Sequence, residues 1–299
     1  MKLKITVLLI ILSIAFSGCE RINLATDLTE TPYAAIDTSS LEPAETAADI
    51  PETQSQQTET TAPDETTVPA TVETTAPDLS LDIVPGRYQL QFVCEQTGDY
   101  LDYHLFIPNN PVKGMPLITF LHGMGEVGQI DVLKDYGIAT ITKELYGDDF
   151  PYILLIPCTH ERTWIKNEIP VTLKALIDHI VSELYIDTEH VILTGHSLGA
   201  IGTWKMVSLY ADYFSAAVPV SCGIDDPLNY SSFHNIPVWG FVGTDGYYEE
   251  NYNKAMVKIV DAVNENGGNA VLTIYEGVEH TETVTLPYTQ ELFDWMLTQ

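Results

Sequence analysis

Val191-Ile-Leu-Thr-Gly-His-Ser-Leu-Gly-Ala200 sets four residues suited to a buried strand, Val191 to Thr194, directly before Gly195-His196-Ser197-Leu198-Gly199. A helix-compatible run, Ala200 to Tyr210, follows at once. Strand, G-x-S-x-G and helix in that order form the pattern of a nucleophile elbow, a sharp turn that pushes a serine hydroxyl into the open. The two glycines have a steric reason, because a side chain at either position would crowd the turn. Taken alone the pentapeptide also fits a glycine-rich strand-to-helix turn without chemistry, so its standing depends on the rest of the chain.

A nucleophilic serine needs a base to take its proton, an acid to orient that base and donors for the oxyanion. Behind an elbow of this kind the chain order is serine, acid, histidine, and only His234 and His280 follow Ser197. His280 lies in Tyr275-Glu-Gly-Val-Glu-His280, a loop leaving the last strand at its carboxyl end, where open α/β sheets place their sites. His234 precedes the strand expected at 238–242 and enters it from the other end, so His280 is the expected base. The acid is expected just after that strand, in Gly243-Thr-Asp-Gly-Tyr-Tyr-Glu-Glu-Asn251. Asp245 is the first choice, with Glu249 and Glu250 in reserve; the plain reading of Asp245-Gly246 is a turn.

The expected oxyanion donors are two backbone N–H groups. One belongs to Leu198, at the start of its helix, where donors have no intrahelical partner. The other is Met124 N–H, in the His122-Gly-Met-Gly125 loop after the strand at 117–121. His122 reads as a side chain that braces this loop, without a catalytic role, and is also a candidate substrate contact. His104, His160, His179, His190 and His196 fall outside the acid–base order; His196 reads as a neighbour of the serine and not as its base.

Strands and helices alternate along the rest of the chain. Tyr88 to Cys94 and Tyr100 to Ile107 alternate around Thr97-Gly98-Asp99 and predict an antiparallel hairpin. Leu117 to Leu121 and Tyr152 to Ile156 are short apolar runs that suit strands buried on both faces. Leu173, Ile177, Ile180 and Leu184 recur at helical spacing after Pro170 in a first turn. Strands at 191–194, 216–220, 238–242 and 270–275 and helices at 200–210, 252–265 and 288–297 complete the pattern. Alternating βα units imply an α/β domain with a mainly parallel sheet.

The amino end reads differently. Lys2 and Lys4, the apolar run Ile5 to Phe16 and Ser17-Gly18-Cys19 have the layout of a secretory signal. A cysteine straight after Ser-Gly resembles a bacterial lipobox, with Phe16 where leucine is usual. Lipid on Cys19 would hold the protein to a membrane. Residues 20–80 are rich in Thr, Glu, Ala and Pro, with thirteen carboxylates against Arg21 alone. Such a stretch cannot bury enough surface to offset its ordering entropy and reads as an extended, disordered tether. Residues 81–299 then form one domain.

The formal net charge of −29 disfavours binding to nucleic acid or, by charge, to anionic lipid. Cys94, Cys158 and Cys222 show no metal-ligand spacing, and no metal is expected; whether two of them pair stays open.

Several blocks together carry a family resemblance. They are Leu121-His-Gly-Met-Gly-Glu126, Leu193-Thr-Gly-His-Ser-Leu-Gly199 with Gly202-Thr203-Trp204, and Ala216 to Val220 with Gly223. Ile236-Pro-Val-Trp-Gly-Phe241 with Gly243, and Leu272-Thr-Ile-Tyr-Glu-Gly-Val-Glu-His280, complete the set. From about residue 88 to the end the chain resembles the α/β-hydrolases, in particular the feruloyl-esterase and polyhydroxybutyrate-depolymerase-like esterases often labelled predicted peptidases. That group usually has His-Gly where this chain has Val242-Gly243, and its acid falls three residues after that glycine, where Gly246 stands.

The resemblance implies hydrolysis of a carboxylic ester without a cofactor: Ser197 attacks, His280 shuttles the proton, Asp245 orients His280, and Leu198 and Met124 N–H hold the oxyanion. The preferred picture is a surface-tethered esterase acting on acetyl or feruloyl groups of polysaccharide, with Trp164, Tyr247 and Tyr248 as flat surfaces for a sugar or phenolic acid. A peptidase of the same fold and a binding lipoprotein on a decayed hydrolase fold are the alternatives.

Overall fold

The computed structural model describes residues 83–224, 227–246 and 249–299, and of Glu249 and Glu250 only the backbone. The signal segment, Cys19, the linker and Tyr247 and Tyr248 lie outside the described residues.

Eight strands form one sheet: β1 (Gly86–Val93), β2 (Tyr100–Ile107), β3 (Leu117–Leu121), β4 (Ile153–Cys158), β5 (Val191–His196), β6 (Ala216–Val220), β7 (Pro237–Asp245) and β8 (Asn269–Glu279). Their order is β1-β2-β4-β3-β5-β6-β7-β8. β1 and β2 pair antiparallel as the expected hairpin, β2 also runs antiparallel to β4, and the remaining neighbours are parallel. The helices are α1 (Ile130–Leu133), α2 (Ile138–Tyr146), α3 (Ile169–Glu183), α4 (Leu198–Tyr210), α5 (Glu249–Glu265) and α6 (Gln290–Met296).

β3 shows why the central strands read as unbroken apolar runs. All five of its residues are buried. Leu117 and Leu121 face a core that holds Leu173 of α3, Trp204 and Met206 of α4 and Met256 and Ile259 of α5. Ile118 and Phe120 face a second core with Leu133, Ile138 and Ala139 of α1 and α2 and Leu292, Phe293 and Met296 of α6. Helices on both faces leave no side of such a strand for water, so polar alternation disappears. α4 is covered in the same way: Leu198, Ala200, Thr203, Trp204, Met206 and Val207 are all buried.

The structure adds three features to the sequence reading. α1 and α2 were not expected; α2 has β-branched threonines at 140 and 142 and is closed at both ends by glycine, so its local helical signal is weak. β8 runs to Glu279, not to Tyr275, and His280 therefore follows the strand directly. α5 begins at Glu249, three residues before the expected start. Cys94, Cys158 and Cys222 are all buried as thiols. Among the described residues no helix is long and apolar enough to cross a membrane.

Candidate active site

β5 delivers its chain to Ser197 at the carboxyl edge of the sheet, and α4 starts one residue later. Ser197 has φ 56° and ψ −114°, a left-handed conformation that costs a non-glycine residue energy and persists only where the surroundings hold it. Its N–H donates to the Val220 carbonyl at 2.8 Å, pinning the turn to the end of β6. The hydroxyl is thereby lifted above the sheet and meets His280: Oγ and Nε2 are 2.8 Å apart. With the hydroxyl donating, Nε2 is the accepting nitrogen, the arrangement a general base requires.

His280 is held through its backbone. Its carbonyl accepts from Thr283 Oγ1 at 2.6 Å and from His196 Nε2 at 3.0 Å. Thr283 in turn accepts from Ser221 Oγ at the end of β6. Thr283 and Ser221 are buried, and no pattern in the sequence singles them out. His196 was expected to neighbour the serine without serving it as base; the structure places it beneath the base's own loop, its ring centroid 4.8 Å from that of His280.

Of the expected oxyanion donors, Leu198 N–H stands in the first turn of α4, beside the nucleophile. The loop after β3 passes against the serine: a Cβ built on Gly123 would lie 3.5 Å from Ser197 Cβ. Met124, the next residue, opens a 3-10 turn that runs to Glu126.

His122 and Trp164 correct the expectation of substrate contact. Both are completely buried. His122 Nδ1–H donates to the Gly123 carbonyl at 2.7 Å, and Nε2 accepts from Thr159 N–H at 3.2 Å. Trp164 Nε1–H donates to the His122 carbonyl at 3.0 Å, and the two rings meet edge-on, centroids 5.1 Å apart. Neither ring offers a face to a ligand; together they brace the loop that carries Met124.

Asp245 ends β7, and its Cα stands opposite Glu279, one residue before His280. Its side chain is exposed, and no hydrogen bond joins it to the imidazole among the described residues. Glu249 is the first residue of α5, its side chain outside the described set.

Burial sets the charge of the supporting histidines. It lowers His122 to about 4, partly countered by the Gly123 hydrogen bond. It lowers His196 to about 3, with the nearby His280 adding to the effect. Both therefore fold neutral. The unfolded chain binds their protons below its own value of 6.5, so the stability they contribute is complete above that value. It is lost as pH falls toward their folded values. Going from pH 6.5 to about pH 5, the free energy of unfolding should fall by about 3 kcal/mol from the two together. Urea titrations at both pH values check this, and a fall of less than about 1 kcal/mol rules it out.

No family model matches the chain. A bifunctional acetylxylan esterase/xylanase of Neocallimastix patriciarum is 29% identical over 130 residues, 42% of this chain. An uncharacterized secreted protein of Arthroderma benhamiae is 27% identical over 139 residues, 40% of this chain. The matched segments span 18% and 14% of those proteins. Among solved structures, a thermostable esterase aligns with TM-score 0.59 at 23% identity, over 71% of this chain and 63% of that one. A ferulic acid esterase aligns with TM-score 0.57 at 14% identity, over 71% and 98% of the two chains. The acetyl xylan esterase of Aspergillus awamori aligns with TM-score 0.54 at 14% identity, over 71% and 98%. Likeness at these identities is likeness of fold, and it agrees with the sheet order and the strained serine turn found independently: the chain has the α/β-hydrolase fold.

Proposed function

We propose that the protein is a serine hydrolase of carboxylic esters, acting on acetyl or feruloyl groups carried by polysaccharide. One observation carries the reading: a serine held at positive φ at a strand–helix junction, its Oγ 2.8 Å from a histidine in the loop after the last strand. In the proposed cycle His280 Nε2 takes the Ser197 proton as Oγ bonds the acyl carbon. The oxyanion formed is met by the N–H groups of Leu198 and Met124. The intermediate collapses, the alcohol leaves with the proton from His280, and water, activated by the same imidazole, releases the acid.

The orienting acid is assigned to the segment from Gly243 to Glu249, with Asp245 first and Glu249 second. The pairing of Asp245 with Glu279 supports the first choice, since it brings the carboxylate's backbone beside that of His280. Catalytic hydrogen bonds of unliganded sites often tighten only when substrate binds.

An acetylxylan esterase/xylanase and a ferulic acid esterase among the similar proteins support this choice of substrate class. The signal-like amino end, the Cys19 lipobox and the acidic 20–80 tether would place this activity at the outer face of a bacterial membrane, spaced from it by the linker.

Turnover of p-nitrophenyl acetate, methyl ferulate, acetylated xylan and a short peptide tests the reading. Wild type is expected to hydrolyse the esters and to leave the peptide intact, and Asp245→Asn to lose about 10²- to 10⁴-fold in kcat. Absence of ester turnover, or peptide cleavage faster than ester cleavage, overturns the proposal. A loss seen only in Glu249→Gln moves the acid to Glu249.

A further inference from the structure

A second serine leaves the sheet in the same strained way as Ser197. Ser221 follows β6 directly and has φ 60°. Its N–H donates to the Phe241 carbonyl of β7 at 2.7 Å, as Ser197 N–H donates to Val220 one strand away. Glycine would take this backbone without cost, and serine does not. Strain of this kind gathers where the surroundings hold a residue for a purpose, so the use of the Ser221 side chain is the question.

The Ser221 hydroxyl is buried and stands 2.5 Å from Thr283 Oγ1, which stands 2.6 Å from the His280 carbonyl oxygen. Counting protons fixes the direction of both bonds. A carbonyl only accepts, so the single Thr283 proton goes to His280, and the proton between the two hydroxyls belongs to Ser221. His196 Nε2–H, at 3.0 Å, occupies the carbonyl's other lone pair. The second branch of Thr283 is directed as well: its methyl lies 3.4 Å from where a Cβ on Gly243 of β7 would stand. Two consecutive residues at the end of β6 thus hold both halves of the reacting pair. The Val220 carbonyl takes the nucleophile's N–H, and Ser221, through Thr283, holds the carbonyl of the base.

We propose that Ser221 and Thr283 are positioning residues for His280: their two hydroxyls tie the backbone of the base to the strand end that already carries the serine turn, and so set the 2.8 Å between Ser197 Oγ and His280 Nε2. The orienting acid acts on the imidazole ring, and this relay acts on the backbone beneath it. Neither hydroxyl touches substrate.

The inference rests on the serine-hydrolase reading, and the test separates the two. Thr283→Val keeps the branched shape and removes the hydroxyl. With p-nitrophenyl acetate it should lose about fivefold or more in kcat at unchanged KM, the effect of a base displaced by a fraction of an ångström. Thr283→Ser returns the hydroxyl without the methyl and should recover to within about twofold of wild type. Ser221→Gly relieves the strained backbone while removing the hydroxyl. Its urea midpoint should be no lower than that of Ser221→Ala, yet its kcat should fall by about threefold or more. Because Ser221 acts through Thr283, Ser221→Gly combined with Thr283→Val should be no slower than Thr283→Val alone. A smaller loss in Thr283→Val, an equal loss in Thr283→Ser, a further loss in the double variant, or a change confined to KM overturns the inference. So does a Ser221→Gly protein that is less stable than Ser221→Ala. If Thr283→Val does not fold, Ser221→Gly decides: a lowered kcat in the folded protein supports the relay, and a wild-type kcat overturns it. Wild type that neither turns over ester nor reacts with a fluorophosphonate overturns instead the hydrolase reading beneath it.

Discussion

Ser197→Ala is expected to lower kcat for p-nitrophenyl acetate by about 10⁴- to 10⁶-fold and to abolish labelling by a fluorophosphonate, with the fold unchanged. The hydroxyl is the only nucleophile on the strained turn, and its 2.8 Å contact with His280 Nε2 has no substitute once Oγ is gone. What remains is binding and the proposed oxyanion donors, which act without the nucleophile and account for a small residual rate. The substitution leaves the turn itself standing. Alanine meets φ 56° with the same Cβ that serine carries, and the N–H donation to Val220 is retained. The change in stability should therefore stay within about 1 kcal/mol. Because serine and base act as a unit, Ser197→Ala combined with His280→Ala should be hardly slower than either alone. Undiminished labelling of Ser197→Ala, or turnover within about tenfold of wild type, would place the chemistry elsewhere.

How much of this was legible in the sequence follows from the range of the interactions. The elbow and the strand at 117–121 were readable because their rules are local: glycine at fixed offsets around a serine, and unbroken apolar runs where a parallel strand is covered on both faces. His280 was readable because chain order left few candidates and because it follows a strand at the sheet's carboxyl end.

The supports of His280 were not readable. Thr283, Ser221 and His196 come from three separate segments and meet only through the register of β5, β6 and the loop after β8. His122 braces its loop as expected, but as candidate substrate contacts His122 and Trp164 fail for a related reason. An aromatic residue in a loop after a strand has the same local sequence whether the loop turns outward to a ligand or inward under its neighbour, and here both rings turn inward. The acid is the hardest case, because its identity depends on how a short loop after β7 is shaped, and one residue more or less in that loop exchanges Asp245 for its neighbours.

Gly199→Ala should have the largest effect on stability of any single methyl added near the site. A Cβ at this position would sit 1.9 Å from the Leu121 carbonyl oxygen, 2.5 Å from its carbon and 3.0 Å from the His122 carbonyl oxygen. All three are backbone atoms, so no side chain can swing away. To make room, α4 must move off β3, or the end of β3 must bend. β3 is fully buried against both cores, and α4 buries Leu198, Ala200, Thr203, Trp204, Met206 and Val207, so either movement opens cavities in that packing.

The expected cost is about 4 kcal/mol or more, a large share of the 5–15 kcal/mol that holds a domain of ordinary stability together. Gly125→Ala, where an added Cβ meets nothing within 4 Å, serves as the control and should shift the urea midpoint little. A Gly199→Ala protein with a wild-type midpoint would show that the elbow and β3 do not meet as closely as the structure has them. A folded but weakened variant would say something different: that α4 has yielded and carried Leu198 N–H away from the proposed oxyanion site. In that case kcat should fall while fluorophosphonate still reaches Ser197, since the nucleophile would remain and only the electrostatic support would have moved.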